Sequence, residues 1–228
     1  MKKICAFAAA AAMSIVPSFA AVELSGDLTF APVSGRRIDF GGETGKTLLR
    51  EICPVGMQMA ATFFFGRTSA FNAGLNLGFS VDETSFVRYG GHSFHVDGAE
   101  NLTVQAGPAF EFRFGRHSLF ISPGAFCSMT GVWDEGERRD VYEAAVAFEY
   151  GLHVGGGWRF WVVQKKKFGL GLDFGVDWAV GLGKFCHGTI DDSHRSRDAD
   201  WDFSDDWNDI SCAQRLKVYT GVVFRLGD

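Results

Sequence analysis

The chain reads as an all-β protein, an eight-stranded antiparallel up-and-down transmembrane β-barrel. Three observations predict this fold. Apolar and polar side chains alternate over eight separate stretches, as they do on the two faces of a strand. No Asp, Glu, Lys or Arg falls on the apolar side of any stretch. The links between stretches alternate short and long, as in barrels with tight periplasmic turns and larger outer loops.

The chain opens on an address rather than on a strand. Lys2 and Lys3 precede an uncharged apolar run over residues 4–16, and Pro17, Ser18, Phe19 and Ala20 follow with small residues at 18 and 20. That pattern predicts a secretory signal peptide over residues 1–20, too short to be a spanning helix, and a barrel domain over residues 21–228. Cys5 lies inside the apolar run and not after it, so no lipid anchor is expected. Loss of Lys2 and Lys3 takes the formal charge from −5 to −7. A mildly acidic chain of this kind lacks the basic face that nucleic-acid binding needs. No later run has the apolar length of a transmembrane helix. A membrane location therefore requires a closed barrel.

Residues 22–30 set Val22, Leu24, Leu28 and Phe30 against Glu23, Ser25, Asp27 and Thr29. Residues 55–65 group Val55, Met57, Met59, Ala61, Phe63 and Phe65 against Gln58 and Thr62, and residues 71–81 group Leu75, Leu77, Phe79 and Val81 against Asn72, Asn76 and Ser80. Residues 102–114 oppose Glu111 and Arg113 to Phe110, Phe112 and Phe114, and residues 119–129 carry Leu119, Ile121, Cys127 and Met129 on one side. Residues 144–160 oppose Glu149, His153 and Arg159 to Phe148, Tyr150, Leu152, Trp158 and Phe160. Residues 168–182 oppose Asp173 and Asp177 to Leu172, Phe174, Val176 and Trp178. Residues 216–226 oppose Lys217, Tyr219 and Arg225 to Val218, Val222, Phe224 and Leu226. Each stretch reaches the roughly 9–11 residues of a tilted membrane strand.

An eight-stranded barrel encloses only enough space for side chains or one small ligand. Apolar sides this long and rich in Phe do not fit inside, so they face lipid and the polar sides fill the lumen. Phe65, Phe71, Phe114, Trp158, Phe160 and Phe168 near the strand ends suit an aromatic girdle. A secreted soluble barrel with the opposite facing is the alternative.

Short links fall at residues 66–69, 115–118 and 162–167, and long ones at 31–54, 82–101, 133–143 and 183–213. The short turns carry Arg67, Arg116, Lys165, Lys166 and Lys167 and no acid. The final Tyr219-Thr220-Gly221-Val222-Val223-Phe224-Arg225-Leu226 resembles the strand read by the barrel-assembly machinery, though Gly227 and Asp228 follow it in place of a terminal aromatic. With the eight strands and the turn asymmetry, residues 21–228 resemble the small barrels of the outer-membrane protein A, X and W type. The resemblance implies the bacterial outer membrane as location, with its lipids and the assembly machinery as partners. It implies no single activity, since members serve as adhesins, small-solute channels or structural anchors.

The inward set is charged: Glu23, Asp27, Glu111, Glu149, Asp173 and Asp177 against Arg113, Arg159, Arg215, Lys217 and Arg225, with His153. Charges withdrawn from water must pair. A salt-bridged plug is the expectation, and a gated pore or proton-sensitive site the alternative. A hairpin about residues 162–167 pairs positions summing to about 330 and sets His153 opposite Asp177.

Residues 183–213 are the most unusual segment. Eight aspartates interleave with Trp201, Phe203 and Trp207, an acidic platform suited to surface contact with a host or cell-surface ligand. Asp198-Ala199-Asp200-Trp201-Asp202 opens like a calcium loop, but Phe203 stands where the turn needs glycine, so a hand-shaped metal site is not expected; a looser surface calcium site stays open. Cys186 and Cys212 bracket the segment and are expected to form a disulfide, which the envelope permits. Cys127 reads as a lipid-facing small residue, and Cys53 has no evident partner.

Other motifs carry less. Asp192-Ser193-His194 and His92-Ser93 are weak hydrolase signals, and chance spacing accounts for them. Residues 41–47 resemble a phosphate loop, but Phe40 replaces its first glycine. No cofactor and no enzymatic activity are expected. The sequence points first to a non-enzymatic surface-contact, adhesion or structural barrel, next to a narrow channel for small or apolar solutes, and last to an envelope hydrolase.

Overall fold

A computed structural model describes residues 21–38, 47–51, 53–65, 70–89, 92–135, 141–165, 167–192, 195–197 and 214–227. Ten strands run in chain order: β1 Ala21–Ile38, β2 Thr47–Glu51, β3 Val55–Phe64, β4 Phe71–Tyr89, β5 His92–Phe114, β6 His117–Glu135, β7 Val141–Lys165, β8 Phe168–Asp192, β9 Arg195–Arg197 and β10 Gln214–Gly227. β2 and β3 both lie between β1 and β4 and form one stave, interrupted near Cys53, whose backbone takes a left-handed φ of 50°. β9 adds a short pairing to the tip of β8. Every neighbouring pair is antiparallel, and β10 closes on β1 from Ala21↔Gly227 to Gly35↔Gln214. The result is a closed barrel of eight staves.

Facing follows from the alternation. Leu28, Met57, Leu77, Val104, Leu152 and Val176 are exposed on the outside, while their neighbours Asp27, Asn76, Thr103, His153 and Asp177 are buried. An apolar exterior around a polar interior is the arrangement of a transmembrane barrel.

The staves differ from the sequence expectation at one end. Strand continues into the long links: β4 and β5 pair through most of 82–101, up to Tyr89↔His92, and β7 and β8 pair up to Val141↔Asp192. Beyond the lipid belt neither face of a hairpin meets hydrocarbon, so the polar–apolar contrast that marks a membrane strand vanishes while the backbone ladder continues.

The β7–β8 register also departs from expectation. The turn sets Lys165 opposite Phe168, later in the chain than expected, and a bulge between Trp161 and Val163 takes back only one residue of that shift. His153 therefore lies opposite Ala179 and Asp177 opposite Gly155. The two side chains share the lumen as diagonal neighbours and not as a direct pair.

Leu75, Leu172 and Val218 point to lipid. Arg at any one of them is expected to lower stability by about 2–4 kcal/mol near the bilayer midplane, read by urea titration of the protein refolded in vesicles; an unchanged midpoint would place that position outside the hydrocarbon.

Candidate functional site

Among the described residues, large polar side chains pack into the lumen, and its charges form two clusters. At the end holding both strand termini, Arg159 bridges two acids, with Nη1 2.5 Å from Glu23 Oε2 and Nε 3.1 Å from Asp173 Oδ2. Arg225 Nη1 donates to Glu23 Oε1 at 2.9 Å and to Glu111 Oε2 at 3.0 Å. Glu111 also accepts from Asn72 Nδ2 at 2.9 Å and faces Arg113 Nε at 3.3 Å. Three guanidiniums lie over rings: Arg159 over Phe120 at 4.1 Å, Arg113 over Trp161 at 5.0 Å and Arg225 over Phe64 at 5.3 Å. A cation on a ring face within about 6 Å is attracted by the ring quadrupole, more strongly when desolvated. Trp161 Nε1 donates to Ser118 Oγ at 3.1 Å, so its polar edge is satisfied as well.

Toward the other end, Lys217 pairs with Asp82 and donates to Ser80 Oγ at 2.7 Å, while Thr29 Oγ1 donates to Asp82 Oδ1 at 2.7 Å. Arg215 donates to Asn101 and, at 3.1 Å, to Thr103 Oγ1. Asn101 in turn donates to Thr130. Glu149 accepts from Ser128 Oγ at 3.5 Å.

Between the clusters, Asp27 accepts from Gln58 Nε2 at 3.2 Å, and His153 Nδ1 lies 3.1 Å from Asp177 Oδ2. Buried Tyr219 projects across Gly157 and Gly175, where an added Cβ would strike its ring or hydroxyl. The glycines on the inner face thus make room for the large polar side chains opposite them.

All twelve lumen residues singled out from sequence lie in the barrel interior, with Arg113 half-buried. Sequence reasoning missed Asp82, treated there as the start of a loop, although it continues the parity of Asn76 and Ser80. It also missed Phe64, Phe120, Phe126 and Trp161, aromatics at polar-parity positions whose signal was that parity alone. Cys53 and Cys127 are free and exposed, Cys127 on the lipid side. The backbone of Cys186 opposes Ala147 in the β7–β8 ladder; its side chain, Cys212, Trp201, Phe203 and Trp207 lie outside what is described. Ser193 and His194 do too. Among the described residues no cluster of three His, Cys, Asp or Glu side chains gathers as a metal site.

Comparison with solved structures gives the same architecture. The outer membrane protein OprG from Pseudomonas aeruginosa superposes with a TM-score of 0.54 at 10% identity, covering 92% of this chain and 98% of that one. The fold is that of a small outer-membrane β-barrel. Neisserial surface protein A matches with a TM-score of 0.45 at 10% identity, over 91% of this chain and 99% of its own. The attachment invasion locus protein Ail of Yersinia pestis matches with 0.43 at 15% identity, over 90% and 98%. No protein-family model and no curated protein sequence matches the chain.

Arg159 is the cation shared by Glu23 and Asp173. Arg159→Ala is expected to cost about 3–5 kcal/mol, because it leaves buried acids without their partner. Adding Asp173→Asn should recover part of that loss. The check is a double-mutant cycle on unfolding midpoints in vesicles; strictly additive effects would show that the two side chains do not interact.

Proposed function

We propose that the protein is a non-conducting outer-membrane anchor that presents β-hairpin extensions for contact outside the cell. The observation that carries this is the filled lumen. A cavity between Thr103, Gln105, Glu149, Asp177, Arg215 and Lys217 measures about 20 Å3. That is room for about one water, and a solute path needs far more. The large side chains that close it are held by ion pairs and by stacked guanidiniums, so opening a path would break several contacts at once.

The projecting hairpins support the second half. Seven residue steps of β7 run from lipid-facing Phe148 to Val141, roughly 23 Å of strand. β4 extends eight steps past Val81, roughly 26 Å. Strands that served only to cross the membrane would end with the belt. The acidic, aromatic segment 198–213 follows the β8–β9 pairing and supplies the contact chemistry in this reading. Rigid aromatics serve such contacts because little side-chain freedom is lost on binding. The buried His153–Asp177 pair belongs to the plug: an Nε2 that faces Gly124 inside a closed lumen has no access to a substrate.

The refolded protein is expected to give no stable single-channel steps in planar bilayers; regular steps would replace the anchor reading with a channel. Cells displaying a Trp201→Ala/Trp207→Ala variant should attach less to matrix proteins or to other cells than cells displaying equal amounts of the parent. Equal attachment would remove the contact role from this segment.

A further inference from the structure

The rim opposite the long hairpins carries a second surface feature. β5 and β6 are joined by a two-residue loop, Gly115-Arg116, with Gly115 at a positive φ of 65°. A glycine there allows the tight reversal. The loop is pinned from β7: Trp161 N–H donates to the Arg116 carbonyl at 2.8 Å and Gln164 Nε2 donates to the Gly115 carbonyl at 3.2 Å.

Above the loop stands a continuous aromatic wall on the outer face. His117 stacks against Phe114, with centroids 5.9 Å apart and planes 19° apart, and against Trp158, at 5.4 Å and 15°. Phe160 meets His117 at 5.3 Å, and Trp158 continues the wall to Phe174 at 5.9 Å. A histidine inside an aromatic belt is a polar group at the boundary between hydrocarbon and water, the level at which amphipathic rings sit. Arg116 is exposed beside it, and exposed Lys165 and Lys167 lie on the next turn, tied to β10 through the Gly227 N–H and the Lys167 carbonyl at 3.3 Å. Among the described residues the acids near this rim, Glu23, Glu111 and Asp173, are all buried in the lumen, turned away from these cations.

We infer that this edge of the barrel, across β5 to β8, binds an anionic phospholipid of the leaflet that surrounds the rim. An acyl chain lies along Phe114, Trp158 and Phe174, and the phosphate meets Arg116 and His117, with Lys165 and Lys167 extending the positive field toward water. Aromatic wall and fixed cations together select a lipid over a free phosphate, because only a lipid uses both. The loop is already ordered by its two carbonyl bonds, so binding need not order it.

The test uses the full barrel refolded in phosphatidylcholine vesicles, with spin-labelled phosphatidylglycerol or phosphatidylcholine as probe. The parent should immobilise labelled phosphatidylglycerol with about a fivefold preference, the worth of one effective cation at a membrane surface. Arg116→Gln/Lys165→Gln/Lys167→Gln should reduce the preference to none while the folded, heat-modifiable band persists. If that variant does not fold, Arg116→Gln alone should cut the preference to about twofold. Glycerol phosphate in solution should fail to release the label. An equal affinity of the parent for both lipids, full retention by the variants, or release by glycerol phosphate would each overturn the inference.

Discussion

In hydrocarbon an unpaired backbone amide costs several kcal/mol, and no water is present to relieve it. The pairing of β10 with β1 is therefore the contact on which the rest depends. It joins the first described strand to the last, from Ala21↔Gly227 upward, and leaves no sheet edge within the belt. Closure at eight staves fixes the interior at a width that side chains must fill. The lumen chemistry is thus a consequence of strand count as much as of any functional demand.

Filling that interior with polar groups creates a desolvation cost that the ion-pair geometry must offset. The chain meets it in two ways. Two of the cations are shared: Arg159 between Glu23 and Asp173, Arg225 between Glu23 and Glu111. The guanidinium faces then rest on Phe64, Phe120 and Trp161, so the planar surfaces that hydrogen bonds leave uncovered contact rings and not void. Arginine suits this role better than lysine because its planar fork pairs with carboxylates and stacks at the same time. Lys217, at the outer cluster, instead makes point contacts with Asp82 and Ser80.

The membrane-spanning fold was legible in the sequence because the strands alternate with a period of two over eight stretches, and their apolar sides are too bulky to fit inside an eight-stranded barrel. Leu75, Leu172 and Val218 could be assigned outward, and Asn76 and Asp173 inward, from parity alone. Two features were not legible. The ends of β4, β5 and β8 beyond residues 81, 102 and 182, and the first three residues of β7, carry no sustained alternation, so they were read as loops. The turn that sets Lys165 opposite Phe168 leaves no mark in the alternation, and the one-residue bulge at Trp161/Val163 offsets it only in part, so His153 meets Asp177 diagonally and not directly. Individual lumen partners were out of reach for a related reason. Parity says which residues face inward, but Glu23 and Arg159 meet across the barrel, 136 positions apart, and tilt and stagger decide that meeting.

On the proposed reading, a packed lumen and projecting hairpins are two parts of one division of labour. The plug ties staves together across the interior: Arg159 on β7 reaches β1 and β8, and Arg225 on β10 reaches β1 and β5. Arg159–Asp173 and Arg225–Glu23 join neighbouring staves, and Arg159–Glu23 and Arg225–Glu111 cross between staves that are not neighbours, so the four bonds tie the staves to one another. The β4–β5 and β7–β8 hairpins continue the same staves beyond the belt, each through one register shift, at Thr84/Phe86 and at Tyr150/Gly151. Their bases therefore inherit the rigidity of the plug. A conducting barrel needs mobile or absent lumen contacts and gives up that support. A barrel that presents surfaces gains from sealing its interior, because each ion pair that blocks solute also steadies the platform outside.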